Sequence, residues 1–191
     1  MLRFLDVFFS LLGLLVLSPF FIFIAIWIKI DSKGAVFYTQ KRVGLGGEEF
    51  NLIKFRSMRP DSDKLGLLTV GGRDPRVTKS GYFIRKYKLD ELPQLINVLV
   101  GEMSLVGPRP EVKKYVDMYT VEQLKVLNVR PGITDEASIA YKNENELLAK
   151  SSNPELTYLE EIMPAKLELN KAFINSPTII NYFRIIFKTI F

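Results

Sequence analysis

The 191-residue chain contains no histidine and no cysteine. The first absence removes the usual general base and the second the usual thiol nucleophile. Together they make zinc and iron–sulfur sites poor expectations. Covalent chemistry is left to Ser, Thr, Lys, Tyr or a carboxylate. Without cysteine there is no disulfide framework, so composition leaves the redox compartment open. No internal repeat and no low-complexity tract interrupts the chain. The glycines at 44, 46 and 47 lack a following Gly-Lys-Ser/Thr, so they form no P-loop and read as turn residues.

What is present is apolar and basic. Hydrophobic residues make up 48% of the chain, yet the formal net charge is +5 and the pI about 9.3. Such a balance calls for an anionic partner: nucleic acid, a membrane surface or a phosphorylated substrate. The length suits one compact domain with an appendage.

Residues 88–95, KLDELPQL, set two adjacent carboxylates, Asp90 and Glu91, ahead of Leu92-Pro93 and the apolar run Leu95, Ile96, Val98, Leu99, Val100. Proline is tolerated in a first helical turn, so Asp90 reads as a helix N-cap and Glu91 as its first residue. Taken alone, the octapeptide is explained by a capping aspartate and a glutamate that complements the helix dipole. The same pair is also suited to holding Mg²⁺, and an aspartate can attack phosphorus.

From Val7 to Ile28 no charge occurs. As a helix this run extends about 33 Å, enough to cross a hydrocarbon core of about 30 Å. It is too long for a cleavable signal peptide and lacks a small-residue cleavage site. Ser18-Pro19 stands at its midpoint, where proline deletes a backbone hydrogen bond and crowds the preceding turn. Each arm is then about half a bilayer long. Basic residues flank both ends, Arg3 on one side and Lys29 and Lys33 on the other, so the charge rule gives no orientation. A kinked spanning helix and a hairpin returning to the same face are balanced on these grounds.

Beyond it, 36–44 and 49–58 are β-prone runs around the three glycines and predict a hairpin. Period two puts Lys54 and Arg56 on one face, where a solvated edge is the ordinary explanation and a diphosphate clamp the functional one. Residues 59–80 predict a long loop of the kind that serves as a lid or binding loop, and 79–88 a short basic helix. The helix after Pro93 should end near Gly101. Arg109, between two prolines, is held extended, which suits either a rigid surface turn or bidentate phosphate recognition. Residues 112–127 predict an amphipathic helix, and Arg130-Pro131-Gly132 a type II turn. The segment 176–191 opens on a Ser-Pro helix start and carries only Arg184 and Lys188, four apart. That predicts a helix in the membrane interface with its cations toward headgroups.

In this order and spacing, the residues resemble the bacterial sugar transferases, the small monotopic phosphoglycosyltransferases that prime polyprenol-linked glycan assembly. The likeness rests on the Ser18-Pro19 break, KFRSM at 54–58, Arg85 five residues before the acidic pair, LDELPQL, SLVGPRP and RPGIT at 130–134. It covers nearly the whole chain, and the expectation is a minimal catalytic unit without further transmembrane helices before it.

The resemblance implies transfer of a phospho-sugar from a UDP-sugar to a polyprenyl (undecaprenyl) phosphate, with Mg²⁺, releasing UMP and priming polysaccharide or exopolysaccharide synthesis. It implies that Asp90 is the nucleophile, that Glu91 helps hold the metal, and that Arg56, Arg85 and Arg109 lie near the phosphates; strand periodicity alone adds Lys54 to the expected phosphate contacts. It also tips the membrane segment toward a re-entrant hairpin at the cytoplasmic face of the bacterial inner membrane, in contact with anionic lipids and with no nucleic-acid partner. One stretch departs. After RPGIT the family commonly continues with a Gly-Leu-Ala-Gln-like run ending in Gly-Arg, whereas here DEASIAYK introduces Asp135 and Glu136. It also places Lys142 where the arginine would fall; lysine keeps the charge and loses the fork.

The expected fold is therefore α+β, with a membrane hairpin over 1–33, a catalytic domain over 34–175 built from a β-hairpin and helices, and an interfacial helix over 176–191. Two other functions fit the same residues. One is a membrane-associated phosphohydrolase that uses water as acceptor; the other is a non-enzymatic adaptor binding anionic lipid, with the acidic pair only a cap.

Overall fold

The computed structural model describes residues 1–62, 68 and 74–190. It mixes helices and short strands as expected for an α+β chain. The first element, α1, runs from Leu2 to Asp31 as a single 30-residue helix. Its apolar window has a mean hydropathy of 2.6 and is mostly exposed, long and apolar enough to cross a membrane. The expected break at Ser18-Pro19 does not divide it into two helices. The reason is local: Pro19 leaves the Leu15 carbonyl without its i+4 donor, and the Ser18 hydroxyl donates to that same carbonyl at 2.8 Å.

Both ends of α1 are fastened to the same body. At the start, Arg3 donates to the carbonyls of Val98 at 2.6 Å and Leu99 at 3.0 Å. Asp6, only 2% exposed, accepts from the Ser104 hydroxyl, the Leu105 amide and the Tyr182 hydroxyl. At the far end, Ile24 and Ile28 pack with Phe55 and Ile84, and Asp31 accepts from the amide and hydroxyl of Ser80 at 2.8 Å.

The predicted hairpin is present: β1 (Phe37–Val43) pairs antiparallel with β2 (Glu49–Phe55), Tyr38 opposite Lys54. Part of the loop expected over 59–80 lies outside the described residues. Thr78 then caps α2 (Lys79–Lys86) by accepting from the Gly81 amide. The stretch around the acidic pair differs from the expected cap. Lys88 takes a left-handed conformation (φ 53°), Leu89–Glu91 form a 3₁₀ turn, and α3 begins only at Gln94, running to Val100. Asp90 is therefore no N-cap: the left-handed kink turns its side chain inward before the helix starts. The end of α3 is as predicted, Gly101 closing it at φ 104°. Asn97, fully buried on α3, accepts from the Ile53 amide and donates to the Asn51 carbonyl, so α3 is locked to β2.

The helix predicted over 112–127 is broken. One turn, α4 (Lys113–Val116), is followed by a 3₁₀ segment at Gln123–Asn128. Thr120 and Gln123 exchange side-chain bonds with each other's backbone amides, a capping box that restarts the chain in a new direction. The Arg130-Pro131-Gly132 turn is also not type II, since Gly132 does not take a positive φ. Gly132 instead opens β4 (Gly132–Thr134), parallel to β3 (Ser104–Val106). Glycine is needed for approach: a Cβ on Gly132 would lie 2.1 Å from the Gly107 nitrogen. The Gly132 amide bonds the Pro108 carbonyl at 2.9 Å and the Gly107 amide the Thr134 carbonyl at 3.0 Å. SLVGPRP and RPGIT are thus two halves of one backbone clasp.

The rest is helical: α5 (Glu136–Ala140), α6 (Glu144–Ala149), α7 (Pro154–Thr157), a π-helical turn at Tyr158–Ile162, α8 (Met163–Asn175) and α9 (Ile179–Ile190). On α9, Tyr182 and Ile185 enter a core with Val106 and Phe173, while Ile180, Phe183 and Ile190 stay exposed. The two α9 cations expected to face headgroups instead pair with Glu136 of α5, Arg184 at 3.3 Å and Lys188 at 3.2 Å.

Candidate active site

A cavity of about 280 Å³ opens between the β-hairpin, the 3₁₀ turn at Leu89–Glu91, the Pro108–Pro110 segment and the π-helical turn. Its wall carries Arg42, Lys54, Arg56, Arg59, Arg76, Arg85, Arg109 and Lys166 against the carboxylates Asp61, Asp90, Glu111 and Glu144. Cations prevail, as a polyanionic ligand requires.

Asp90 lines this cavity at 8% exposure. Among the described residues its carboxylate takes no hydrogen bond. Burial pushes its pKa up; Lys54 pulls it down most strongly, Glu91 adds to the rise, and Arg85 and Arg109 oppose it. Glu91 lies behind it and is fully engaged. Arg109 grips both its oxygens as a fork, one bond at 3.1 Å, and Lys54 donates to Oε1 at 3.0 Å. Burial would raise the Glu91 carboxyl as well, but Arg109 and Lys54 outweigh it and hold it well below the ordinary range. The two neighbouring carboxylates are thus pushed apart: one ionised and committed to cations, the other unbonded and facing the open space.

The cations are held by different elements. Lys54 sits near the end of β2, and burial lowers its amine's pKa against the pull of Glu91. Arg56 follows that strand. Its Nη2 donates to the carbonyl and hydroxyl of Ser32 at the end of α1, while Nε and Nη1 are buried with no hydrogen-bond partner among the described residues. Arg85 comes from the last turn of α2. Arg109 comes from the glycine clasp, and Glu91 raises its pKa further. Lys54, Arg56, Arg85, Asp90 and Arg109 are therefore brought together on one cavity. Lys142 is not: it is exposed just past α5 and is not among the lining residues. Ser18 and Pro19 lie exposed on α1.

Sequence reasoning missed the far wall. Arg42 donates to Glu111 Oε1 at 3.0 Å and to the Pro110 carbonyl at 3.2 Å, and the Tyr158 hydroxyl donates to Glu111 Oε2. Lys166 pairs with Glu144 at 2.7 Å and lies 5.6 Å from the centre of the Tyr158 ring. A π-helical insertion, a feature frequent at functional sites, begins at Tyr158.

The profile of the family described as bacterial sugar transferase matches residues 1–191. The chain belongs to the bacterial sugar transferase family. Similar to this sugar transferase is a UDP-glucose:undecaprenyl-phosphate glucose-1-phosphate transferase of Escherichia coli (strain K12), 35% identical over 190 residues, 97% of this chain and 38% of the relative. A UDP-N-acetylgalactosamine-undecaprenyl-phosphate N-acetylgalactosaminephosphotransferase of Aeromonas hydrophila is 40% identical over 142 residues, 73% of this chain and 34% of the relative. The exopolysaccharide production protein ExoY of Sinorhizobium fredii is 36% identical over 154 residues, 73% of this chain and 68% of the relative. The sugar transferase thus spans about a third of the first two relatives' length and about two thirds of the third's.

Proposed function

We propose that this sugar transferase moves a sugar 1-phosphate from a UDP-sugar to a polyprenyl phosphate through a covalent intermediate on Asp90, priming polysaccharide synthesis at the cytoplasmic face of the bacterial inner membrane. The observation that carries the reading is the buried Asp90 carboxylate, unbonded among the described residues, in a cation-lined cavity of a chain with relatives named for this transfer. Asp90 attacks the phosphorus that bears the sugar, and the bond to the bridging oxygen breaks, expelling UMP. A phosphate oxygen of the polyprenyl phosphate then attacks the same phosphorus, the bond to Asp90 breaks, and the carboxylate is regenerated. Phosphoryl transfer depends on positioning and charge stabilisation more than on proton movement, so a site without histidine suffices. Arg56, Arg85 and Arg109 line the cavity in which the phosphates would lie, and their charge offsets that of the diphosphate.

Among the described residues no group of three metal-ligating side chains occurs. Mg²⁺ needs only one or two carboxylates when phosphates and water complete its shell, so Asp90 and Glu91 fit it. Glu91 would turn an oxygen from Arg109 or Lys54 toward the ion. Bound there, Mg²⁺ would neutralise charge on the diphosphate.

The membrane placement has its own support. Asp6 and Asp31 are 25 residues apart on α1, about 37 Å along a straight helix, and both bind the same body. A helix crossing the bilayer could not keep both anchors to a body on one side. We read α1 as re-entrant, with the apolar turns around Pro19 dipping into the bilayer. The exposed aromatics Tyr82, Phe83 and Tyr87 of the α2 region and the exposed face of α9 would then lie at the interface, with Lys29 and Lys33 toward anionic headgroups. In this cysteine-free chain, Leu2→Cys and Lys33→Cys should both resist an impermeant thiol reagent until the membrane is opened. Labelling of Leu2→Cys from outside would defeat the re-entrant reading. Pro19→Leu, which restores the missing donor, should shift part of the population toward outside labelling.

The activity test is a panel of UDP-sugars with polyprenyl phosphate. UMP release that depends on the acceptor, with a lipid-linked product, is expected; free sugar 1-phosphate without acceptor dependence would make the chain a hydrolase. A pH profile adds a sharper check. Asp90 must be ionised to attack, and its pKa is raised, so kcat/KM should fall on the acid side at a pH above that of an ordinary aspartate. Lys54 is the strongest influence holding that pKa down. Lys54→Met should therefore move the acid limb to higher pH, besides lowering kcat/KM by about 10- to 100-fold. A limb that stays in place would show that Asp90 is not the titrating group.

A further inference from the structure

Asp135 lies in the stretch that departs from the family pattern, and the expectation there concerned Lys142. The structure draws attention to Asp135 instead. It is 2% exposed and stands at the start of α5, immediately after β4. Its Oδ1 accepts from the Ser138 amide at 2.6 Å, an ordinary N-cap. Its Oδ2 does something a cap does not require. It accepts from the backbone amide of Arg109 at 3.0 Å and from Asn170 Nδ2 at 2.7 Å. Asn170 is itself 4% exposed, on α8.

Three segments distant in sequence therefore converge on one carboxylate: the clasp carrying Arg109, the start of α5, and α8. The Arg109 amide lies between two prolines that offer no backbone donor, so this is the donor by which the Pro108–Pro110 segment can be fixed from this side. The side chain of the same residue forks onto Glu91, next to the candidate nucleophile. A fork is useful only at a set angle, and a shift of a fraction of an ångström at the backbone is carried to its tip.

We propose that Asp135, braced by Asn170, is a positioning residue that sets the Arg109 guanidinium against Glu91 and the substrate diphosphate. It touches neither substrate nor reacting atoms and acts through the Arg109 backbone. The kinetic part of the proposal rests on the transferase reading; the tether itself does not.

Asp135→Ser keeps an N-cap acceptor for α5 but is too short to reach the Arg109 amide. With UDP-sugar and polyprenyl phosphate, it should lower kcat by about 10-fold with little change in KM, because a misaligned fork loses most where charge develops. Asn170→Ala, which leaves the cap and the carboxylate intact, should lose about 3-fold. The decisive comparison uses Arg109→Lys, which has no fork to aim. In that background Asp135→Ser and Asn170→Ala should each cost less than about 2-fold, since residues acting through one group are not additive. Full additivity, or wild-type turnover in Asp135→Ser, would overturn the proposal. Should Asp135→Ser fail to fold, the Asn170→Ala cycle decides in its place. Amide hydrogen exchange over residues 105–112 is read in parallel and should quicken in Asp135→Ser while the rest of the protein stays protected. If the wild type acts on no UDP-sugar, the transferase reading falls. Unchanged exchange in that segment would remove the tether whatever the activity.

Discussion

Asp90→Asn is expected to lose turnover by on the order of 10⁴-fold or more, the scale seen when a covalent nucleophile is removed, and to melt no lower than the wild type. The two halves of this result come from the same observation. The Asp90 carboxyl is buried at a cavity wall without a hydrogen-bond partner among the described residues, and burial raises its pKa. For an acid, a folded pKa above the unfolded one means that its charge opposes folding at any pH above those values. An amide of the same shape removes that charge and should leave stability unchanged or higher at pH 7. Loss of activity with no loss of stability is the signature of a strained functional group. With UDP-sugar alone, the wild type should release a burst of UMP no larger than the enzyme concentration and hold a phospho-sugar that polyprenyl phosphate removes. Asp90→Asn should show neither. An adduct mapped by mass spectrometry to another residue, or an active Asp90→Asn enzyme, would favour direct transfer in a ternary complex.

Much of this site was legible because its parts lie in short local patterns. Lys54 near the end of β2 and Arg56 just past it follow from period two, and Gly101 from the helix it closes. The same periodicity would have reached further: Tyr38, Gln40 and Arg42 alternate on β1 and all line the cavity, on the face that Tyr38 shares with Lys54 opposite it. Other features carry no local signal. Leu89–Glu91 read as a helix start because Leu92-Pro93 suits one, and nothing nearby announces the left-handed Lys88 that turns Asp90 inward. The clasp between Gly107 and Gly132 is a backbone contact across 25 residues, so local sequence points to a turn at Gly132 with a conformation it does not adopt. Tyr158 reaches the cavity from a π-helical turn that hydrophobic periodicity cannot distinguish from ordinary helix, and Lys166 from α8, which follows it. Lys142 is expected at the site only because it falls where the family pattern has an arginine, and here it is exposed just past α5, which Asp135 caps.

Glu91→Gln should lower kcat/KM by about 10²- to 10³-fold, the range for losing one preorganised electrostatic partner, while leaving Asp90 able to react. Both Glu91 oxygens are held by Arg109, with Lys54 on one of them, and the Glu91 side chain is 16% exposed. Glutamine cannot balance two cations, so the fork loses its anchor and Mg²⁺ loses a candidate ligand. A higher Mg²⁺ concentration should be needed for half-maximal rate. Stability should fall as well. Breaking a fully buried pair costs about 3–5 kcal/mol, and with Arg109 32% exposed a loss nearer about 2 kcal/mol is expected. Because the Glu91 pKa is depressed in the folded state, that contribution is complete above the unfolded value and disappears as pH falls through the folded one. The comparison therefore belongs at pH 7. The most diagnostic readout is again the acid limb. Removing Glu91 takes away a like charge that raises the Asp90 pKa and leaves Lys54 and Arg109, both of which lower it, without their shared counter-ion. The limb should move to lower pH, opposite to its movement in Lys54→Met. If both variants shift it the same way, or neither shifts it, the charge balance around Asp90 is not what sets the reactive form.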